Sequence, residues 1–259
     1  MKKLNVITAL TVVLILLMSC NKNKDIKIID PPCSFNYSAW SLCANNVQTR
    51  TYTSSPSGCI GTPPADSISR KCTMLITIGT QTWTLKNLDV VTYRNGDPIP
   101  QVQDDTAWVN LTTGAWCYYV NNTGNGTTYG KLYNWYAVND PRGLAPNGYH
   151  IPTDAEWSIL TDYLGGTVTA GGKMKEAGTS HWLSPNTGAT NSSGFTGLPG
   201  GTRDYYGYFY DIGAYGNWWS SSEYDTDYAW YRYLTSNYGN VGRSAFFKLN
   251  GFSVRCLRD

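Results

Sequence analysis

Charge is scarce in this chain of 259 residues: Asp, Glu, Lys and Arg together make up 15% of it, and there are two histidines. The formal charge is +2. Lys2 and Lys3 lie in a segment read below as removed, so 18 basic face 18 acidic side chains in the remainder. A nucleic-acid binder needs a basic surplus to displace counterions from phosphates, so that class is excluded as a partner. His150 and His181 have no metal-ligand spacing to each other or to a cysteine pair, which argues against a zinc site and against a Ser/His/Asp triad. The Gly-rich stretch 194–201 lacks the Lys-Ser/Thr that completes a phosphate-cradling loop. No metal and no cofactor is therefore expected. Long apolar runs are missing too: the one near the N-terminus, Val6 to Met18, is 13 residues, whereas a bilayer span takes about 20. What the chain has in quantity is aromatic side chains and glycine, with 20 Tyr, 10 Trp and 26 Gly. That mixture predicts many short strands and turns, a β-rich and loop-rich fold.

Two lysines followed by a 13-residue apolar run read as an export signal. The run closes on Leu17-Met18-Ser19-Cys20, which resembles the lipobox of bacterial lipoproteins. The resemblance implies cleavage before Cys20 and acylation of its sulfur and amine, since stable anchoring takes more than one chain. Residues 21–32 (NKNKDIKIIDPP) then serve as a polar tether. Asn21 after the cysteine points to transfer to an outer membrane. The expected location is therefore the bacterial outer membrane, lipid-anchored and facing the cell surface or the periplasm, with the membrane itself as a partner.

Six further cysteines follow. Cys33, Cys43, Cys59 and Cys72 fall within forty residues, and Cys117 and Cys256 stand far apart. An even number in an exported chain argues for disulfides. Residues 33–73 hold too few large apolar side chains for a core without staples, and three connectivities are open among their four cysteines. Cys117 to Cys256 is the expected third bond. Within the cluster, YSAWSLC (37–43), VQTRTY (47–52) and SPSGCIG (56–61) resemble a thrombospondin type 1 repeat. That resemblance implies three thin strands with Trp40 and Arg50 stacked as layer partners, and it favours Cys33 with Cys59 and Cys43 with Cys72.

From residue 74 onward the texture is that of one long domain. Thr153 and Glu156 form a capping box, Trp157, Leu160 and Leu164 recur at helical spacing, and Gly165-Gly166 ends the run. A second helix is predicted over 129–139, with Leu132, Trp135 and Tyr136 on one face. Strands are predicted at 76–85, 227–234 and 244–257. IGTQTWTLKNLD (78–89), AWCYY (115–119), YGKLYNWYAV (129–138), NGYHIPTDAEW (147–157), TNSSGFTGLPGG (190–201), WWSSSE (218–223) and GFSVRCLRD (251–259) together resemble the Fibrobacter succinogenes major paralogous domain. HIPTDAEW is also similar to the motif of the formylglycine-generating-enzyme type of C-type lectin fold. The resemblance implies an α+β architecture: a lectin-like twisted antiparallel sheet with about two helices and long loops, preceded by a small disulfide-stapled three-stranded module. It implies no activity, because the same fold carries many functions. Formylglycine-generating enzymes bind copper through two close cysteines, and a structural disulfide is the simpler use of Cys117 and Cys256. Where calcium-dependent lectins carry their carboxylate-rich loops, this chain offers Ser184-Pro185-Asn186 and Asn217-Trp218.

No constellation for catalysis emerges. Asp154 and Glu156 are accounted for by capping, and Glu223, Asp225 and Asp227 read as a solvated turn. His150, just before Pro152 and the helix, reads as a packed and hydrogen-bonded residue. The aromatic surplus in 205–219 and 228–247 suits sugar stacking or protein contact. The expected function is non-enzymatic binding or adhesion at the cell envelope, to a glycan or a surface protein. Tyr231, Tyr233, Tyr238, Arg243 and Phe246 are the candidate contact residues. The rivals are an enzyme acting on polysaccharide and a purely structural envelope protein.

Overall fold

Strand and turn chemistry alternate along the chain as its Gly and aromatic content predicts. A computed structural model describes residues 34–38, 47–55, 63, 68–71 and 74–259, which fall into a small unit, ending near residue 70, and a large one. In the small unit, β1 (Ser34–Tyr37) and β3 (Tyr52–Ser55) pair antiparallel from Ser34↔Ser55 to Tyr37↔Tyr52, while β2 (Val47–Thr49) pairs with β4 (Ser69–Lys71). The described residues thus form two two-stranded ladders instead of one three-stranded sheet. Arg50 stacks on the Tyr37 ring at 4.1 Å. The predicted partner Trp40, and Cys20, Cys33, Cys43, Cys59 and Cys72, lie outside the described residues.

The large unit opens on a hairpin, β5 (Leu75–Ile78) and β6 (Gln81–Thr84). Gly79 takes φ +62° at its turn, a conformation that suits glycine, so the single strand predicted over 76–85 folds back on itself. Helix α1 (Asp105–Val109), strand β7 (Trp116–Cys117) and helix α2 (Thr123–Tyr129) follow. The helix predicted over 129–139 is broken: α2 ends at Tyr129, β8 (Leu132–Tyr133) pairs with β7, and only α3 (Trp135–Val138) is helical. Two local features cut it. Gly130 sits at φ +77°, and the Asn134 side chain accepts from the Ala137 N–H, starting a new helix.

After β9 (Tyr149–His150) comes α4 (Asp154–Tyr163), where both halves of the capping box are made. Thr153 Oγ1 accepts from the Glu156 N–H at 3.2 Å, and Glu156 Oε2 accepts from the Thr153 N–H at 2.8 Å. Gly165 and Gly166, at φ +101° and +86°, end it and lead into α5 (Thr167–Met174). Five α-helices are therefore present among the described residues, against about two expected.

Strands β10 (Gly200–Arg203), β11 (Phe209–Ile212), β12 (Tyr215–Glu223), β13 (Tyr228–Thr235) and β14 (Gly242–Phe247) make a five-stranded sheet in the order β11-β10-β12-β13-β14. All its neighbours run antiparallel except β10 and β12. The last strand, β15 (Leu257–Arg258), inserts between β6 and β9. The predicted strand 244–257 is thus two strands. Residues 251–253 between them bridge Arg203, Tyr133 and Trp218 in turn, which stitches the C-terminal segment through the middle of the unit. The architecture is α+β with mainly antiparallel sheets. Among the described residues, no helix is long and apolar enough to cross a membrane.

The core is built on indoles. Trp83, Trp157, Phe195 and Trp218 meet ring to ring at 4.7–6.0 Å. Trp157 and Trp219 donate to the carbonyls of Trp219 and Tyr133, and Trp218 donates to the Asn87 side chain. These three indoles are thereby buried with their N–H groups paired, whereas the N–H groups of Trp83 and Trp108 have no hydrogen-bond partner among the described residues.

The expected Cys117–Cys256 disulfide is not made; both are free and buried. Cys117 packs with Trp108, Ala115 and Leu132, whereas Cys256 belongs to a different core cluster with Leu88, Tyr133 and Val254. Burial pushes both thiols up to about 12, so neither presents a thiolate at neutral pH. Alkylation of the native protein followed by mass spectrometry should leave both cysteines unmodified, and denaturant should expose both to full labelling. Modification of either one in the native protein would contradict the packing.

Candidate binding surface

Sheet geometry brings distant aromatics together. Alternation on β13 puts Tyr231 and Tyr233 on one face, with ring centroids 5.6 Å apart. Tyr231 meets Phe246 of β14 at 6.1 Å, and Tyr233 meets Tyr215 of β12 at 6.3 Å. From Phe246 the contacts continue to Phe247 at 6.1 Å, Tyr205 at 4.5 Å and Tyr206 at 4.1 Å. Seven rings therefore form an unbroken string from Tyr206 to Tyr215. Its ends are open, Tyr206 being 57% and Tyr215 37% exposed, while the five middle rings are half-buried. Tyr231 anchors the middle: its ring lies 4.8 Å from the core residue Phe252, and burial pushes its phenol up to about 12. Along β13 the string covers seven residue steps, or roughly 20 Å.

Three of the five sequence candidates, Tyr231, Tyr233 and Phe246, belong to this string, and two do not. Tyr238 sits in the β13–β14 connection, 66% exposed, and its carbonyl accepts from Lys175 Nζ. Arg243 lies on the face of the sheet opposite Tyr231, Tyr233 and Phe246, the face to which Phe247 carries the string over, and is paired in register with Arg232. It grips Asp154 with Nε and Nη2 at 2.8–3.2 Å and stacks on Trp230 at 3.6 Å. Arg243 thus joins the sheet to the start of α4 and stands apart from the ring string. Trp218 and Trp219 are fully buried, as an interior role requires, and Trp230 is half-buried.

A separate cleft of about 620 Å³ opens elsewhere in the large unit, within the size range of small-molecule sites. The segment 84–90 after β6 forms one wall, Thr127 and Thr128 of α2 another, and Tyr149, His181, Leu198 and Arg255 complete it. Asn87 is spoken for: its Oδ1 accepts from Trp218 Nε1 and Arg255 Nε, and its Nδ2 donates to the Tyr129 carbonyl. The His181 Nδ1 is bound by the Glu176 carboxylate at 2.9 Å. His150 is clamped by the Asp259 carboxylate at 2.7 Å and Glu156 at 3.0 Å. Burial opposes its charge, but the two carboxylates outweigh that and raise its pKa. Both histidines are therefore held by hydrogen bonds to carboxylates. No group of three His, Cys, Asp or Glu able to hold a metal occurs among the described residues.

A family model described as the Fibrobacter succinogenes major domain matches residues 76–258. The chain belongs to that family. The match to the Fibrobacter succinogenes major domain runs from within β5 to β15 and includes the ring string and all of the cleft lining except Met74. No curated protein and no solved structure matches the chain.

Sequence reasoning found the aromatic segments that make up the string but not the cleft. The alternation in 228–234 signalled two of the ring-bearing residues. Nothing local marks Arg255 as a cleft residue, because its neighbours there come from positions about 60 to 170 residues away.

Proposed function

We propose that this protein is a non-catalytic binding protein of the cell envelope, anchored by lipid on Cys20, and that its major domain recognises a glycan through the string of rings from Tyr206 to Tyr215. The observation that carries this reading is the string itself. Seven contacting aromatics with exposed ends offer a run of π-faces and phenol hydroxyls, which stack on sugar rings and donate directed hydrogen bonds. A core needs no such rings at 37–57% exposure. The motif HIPTDAEW supports a C-type lectin-like relationship for the domain. The Arg50–Tyr37 stack supports a thrombospondin-type layer in the small unit, which would act as a spacer between lipid and domain.

The test is a glycan screen of the purified protein followed by Tyr206→Ala and Tyr215→Ala. Both side chains are exposed, so the melting temperature should stay close to that of wild type, while each truncation should weaken glycan binding by about 1–2 kcal/mol. Release of reducing ends during the screen would identify an enzyme instead. Unchanged affinity in both variants would move the site off the ring string.

A further inference from the structure

Six cationic side chains are buried in the large unit: Lys131, Lys175, Arg203, Arg232, Lys248 and Arg255. Burying a charge without a partner is costly, and four of the six have a carboxylate. Lys131 pairs with Asp89, Arg203 with Asp105, Arg232 with Asp154 and Lys248 with Glu223. Lys175 has none, but Nζ donates to three carbonyls, those of Thr187, Thr235 and Tyr238, each at 2.9 Å. An ammonium has three N–H donors, so its capacity is filled.

Arg255 is the exception. It is 1% exposed and lines the cleft of about 620 Å³. Its Nε donates to Asn87 Oδ1 at 3.1 Å, and its Nη1 donates to the carbonyls of Thr84, Leu85 and Phe195 at 2.9–3.0 Å. The Phe195 ring packs 4.4 Å from the guanidinium carbon. Its Nη2 makes no hydrogen bond among the described residues, and no carboxylate lies within ion-pairing distance of it there. Burial lowers its pKa to about 9, so it keeps its proton at neutral pH. One fixed positive charge with an unused donor edge therefore borders a cleft that can admit a ligand.

We infer that the free edge of Arg255 is an anion subsite, and that the cleft takes a small ligand bearing one carboxylate. A single charge is what the site calls for, since one buried cation with one free nitrogen matches a carboxylate and leaves a phosphate dianion undercompensated. The other charges bordering the cleft agree. Lys86 is exposed at the rim, where solvent screens its charge, Asp89 is already held by Lys131, and His181 is bound by Glu176. Thr127 and Thr128 offer hydroxyls, and Tyr149 a ring face, to the body of the ligand. Two sources supply such a ligand, a uronic acid sugar and the free C-terminus of a short peptide. This site stands apart from the ring string and does not depend on it.

Calorimetric titration of the protein separates the outcomes. The probes are galacturonic acid, its methyl ester, and an N-acetylated dipeptide as the acid and as the amide. At least one acid should bind, and its neutral counterpart should bind about ten-fold more weakly or worse. Preference for galacturonate identifies the sugar source, and preference for the dipeptide acid identifies the peptide source; either supports the subsite. Arg255→Lys should weaken the acid about ten-fold or more. Because Arg255 also ties three core carbonyls, a second variant is needed, and Thr128→Trp on the exposed wall fills the cleft without touching that network. It should abolish acid binding with an unchanged melting temperature, while Tyr206→Ala should leave acid binding intact. Equal binding of acid and neutral forms, failure of every acid to bind at millimolar concentration, or undiminished binding in Thr128→Trp would each overturn the inference.

Discussion

Replacing Asp154 by alanine is expected to destabilise the protein by about 3–5 kcal/mol, the range for stranding a buried charge. Asp154 is the first residue of α4, and its carboxylate joins that helix to two strands. Oδ1 accepts from Arg232 Nη1 at 2.6 Å, and both oxygens accept from Arg243. Arg232 and Arg243 sit opposite each other on β13 and β14, a like-charge pair that would repel without the carboxylate between them. Arg232 is almost completely buried and would keep only the Asp154 carbonyl and the Ser158 hydroxyl. The pH dependence has a definite sign. Burial raises the Asp154 pKa, but hydrogen bonds from Arg243 and Arg232 outweigh it and hold the carboxyl below its ordinary value. A depressed acid contributes stability that is fully present above the unfolded pKa, about 3.9, and is lost as pH falls through the lower folded value. Urea unfolding of wild type and Asp154→Ala should therefore show a constant gap from pH 5 to 7 that narrows below about pH 3.9. A loss under 1 kcal/mol at pH 7 would show that the clamp is not structural.

Gly171→Ala should destabilise by about 3 kcal/mol, although in an ordinary helix the same change stabilises by about 1 kcal/mol. The reversal comes from what α5 packs against. A Cβ at Gly171 would lie 2.2 Å from the Asn240 carbonyl oxygen and 2.8 Å from that of Gly239, and one at Gly172 would lie 2.2 Å from the Gly188 carbonyl oxygen. These are backbone atoms, which cannot rotate aside as a side chain does. The contact is also hydrogen-bonded, since the Gly172 N–H donates to the Gly239 carbonyl at 2.8 Å and the Thr190 N–H to the Gly172 carbonyl at 2.8 Å. Helix and loops are thus closer than any residue with a side chain allows. Thermal melting of Gly171→Ala beside Val168→Ala, a highly exposed position on the same helix, distinguishes propensity from packing. Equal or higher stability in Gly171→Ala would contradict the close approach.

How much was legible beforehand follows the range of the interactions. The start and stop of α4 were readable because Thr153, Glu156, Gly165 and Gly166 act on their own neighbours in the chain. Strand β13 was readable because alternation is a local pattern. The helix expected at 129–139 failed where local pattern and tertiary pairing compete. Leu132 and Tyr133 lie at helical spacing from Trp135 and Tyr136, yet their backbone pairs with Trp116 and Cys117 and Lys131 is drawn to Asp89. Helix α5 was missed because its Gly171-Gly172 pair reads as a turn until the loops that need it are in place.

For the candidate sites the same division holds. By itself the sequence determined the family and the aromatic wealth of 205–219 and 228–247. Only the tertiary structure decided that Tyr231, Tyr233 and Phe246 share a string with Tyr205, Tyr206, Phe247 and Tyr215, and that Arg243 lies on the face of the sheet opposite Tyr231, Tyr233 and Phe246. Only it decided that Cys117 and Cys256 occupy different parts of the core, and that Arg255 is a buried cation at a cleft with no anion of its own. The physical reason is that composition and short-range spacing act along the chain. Ring contacts, charge compensation and cleft walls are set instead by which strands become neighbours, and those neighbours can lie 170 residues or more apart, as Arg255 and Leu85 do.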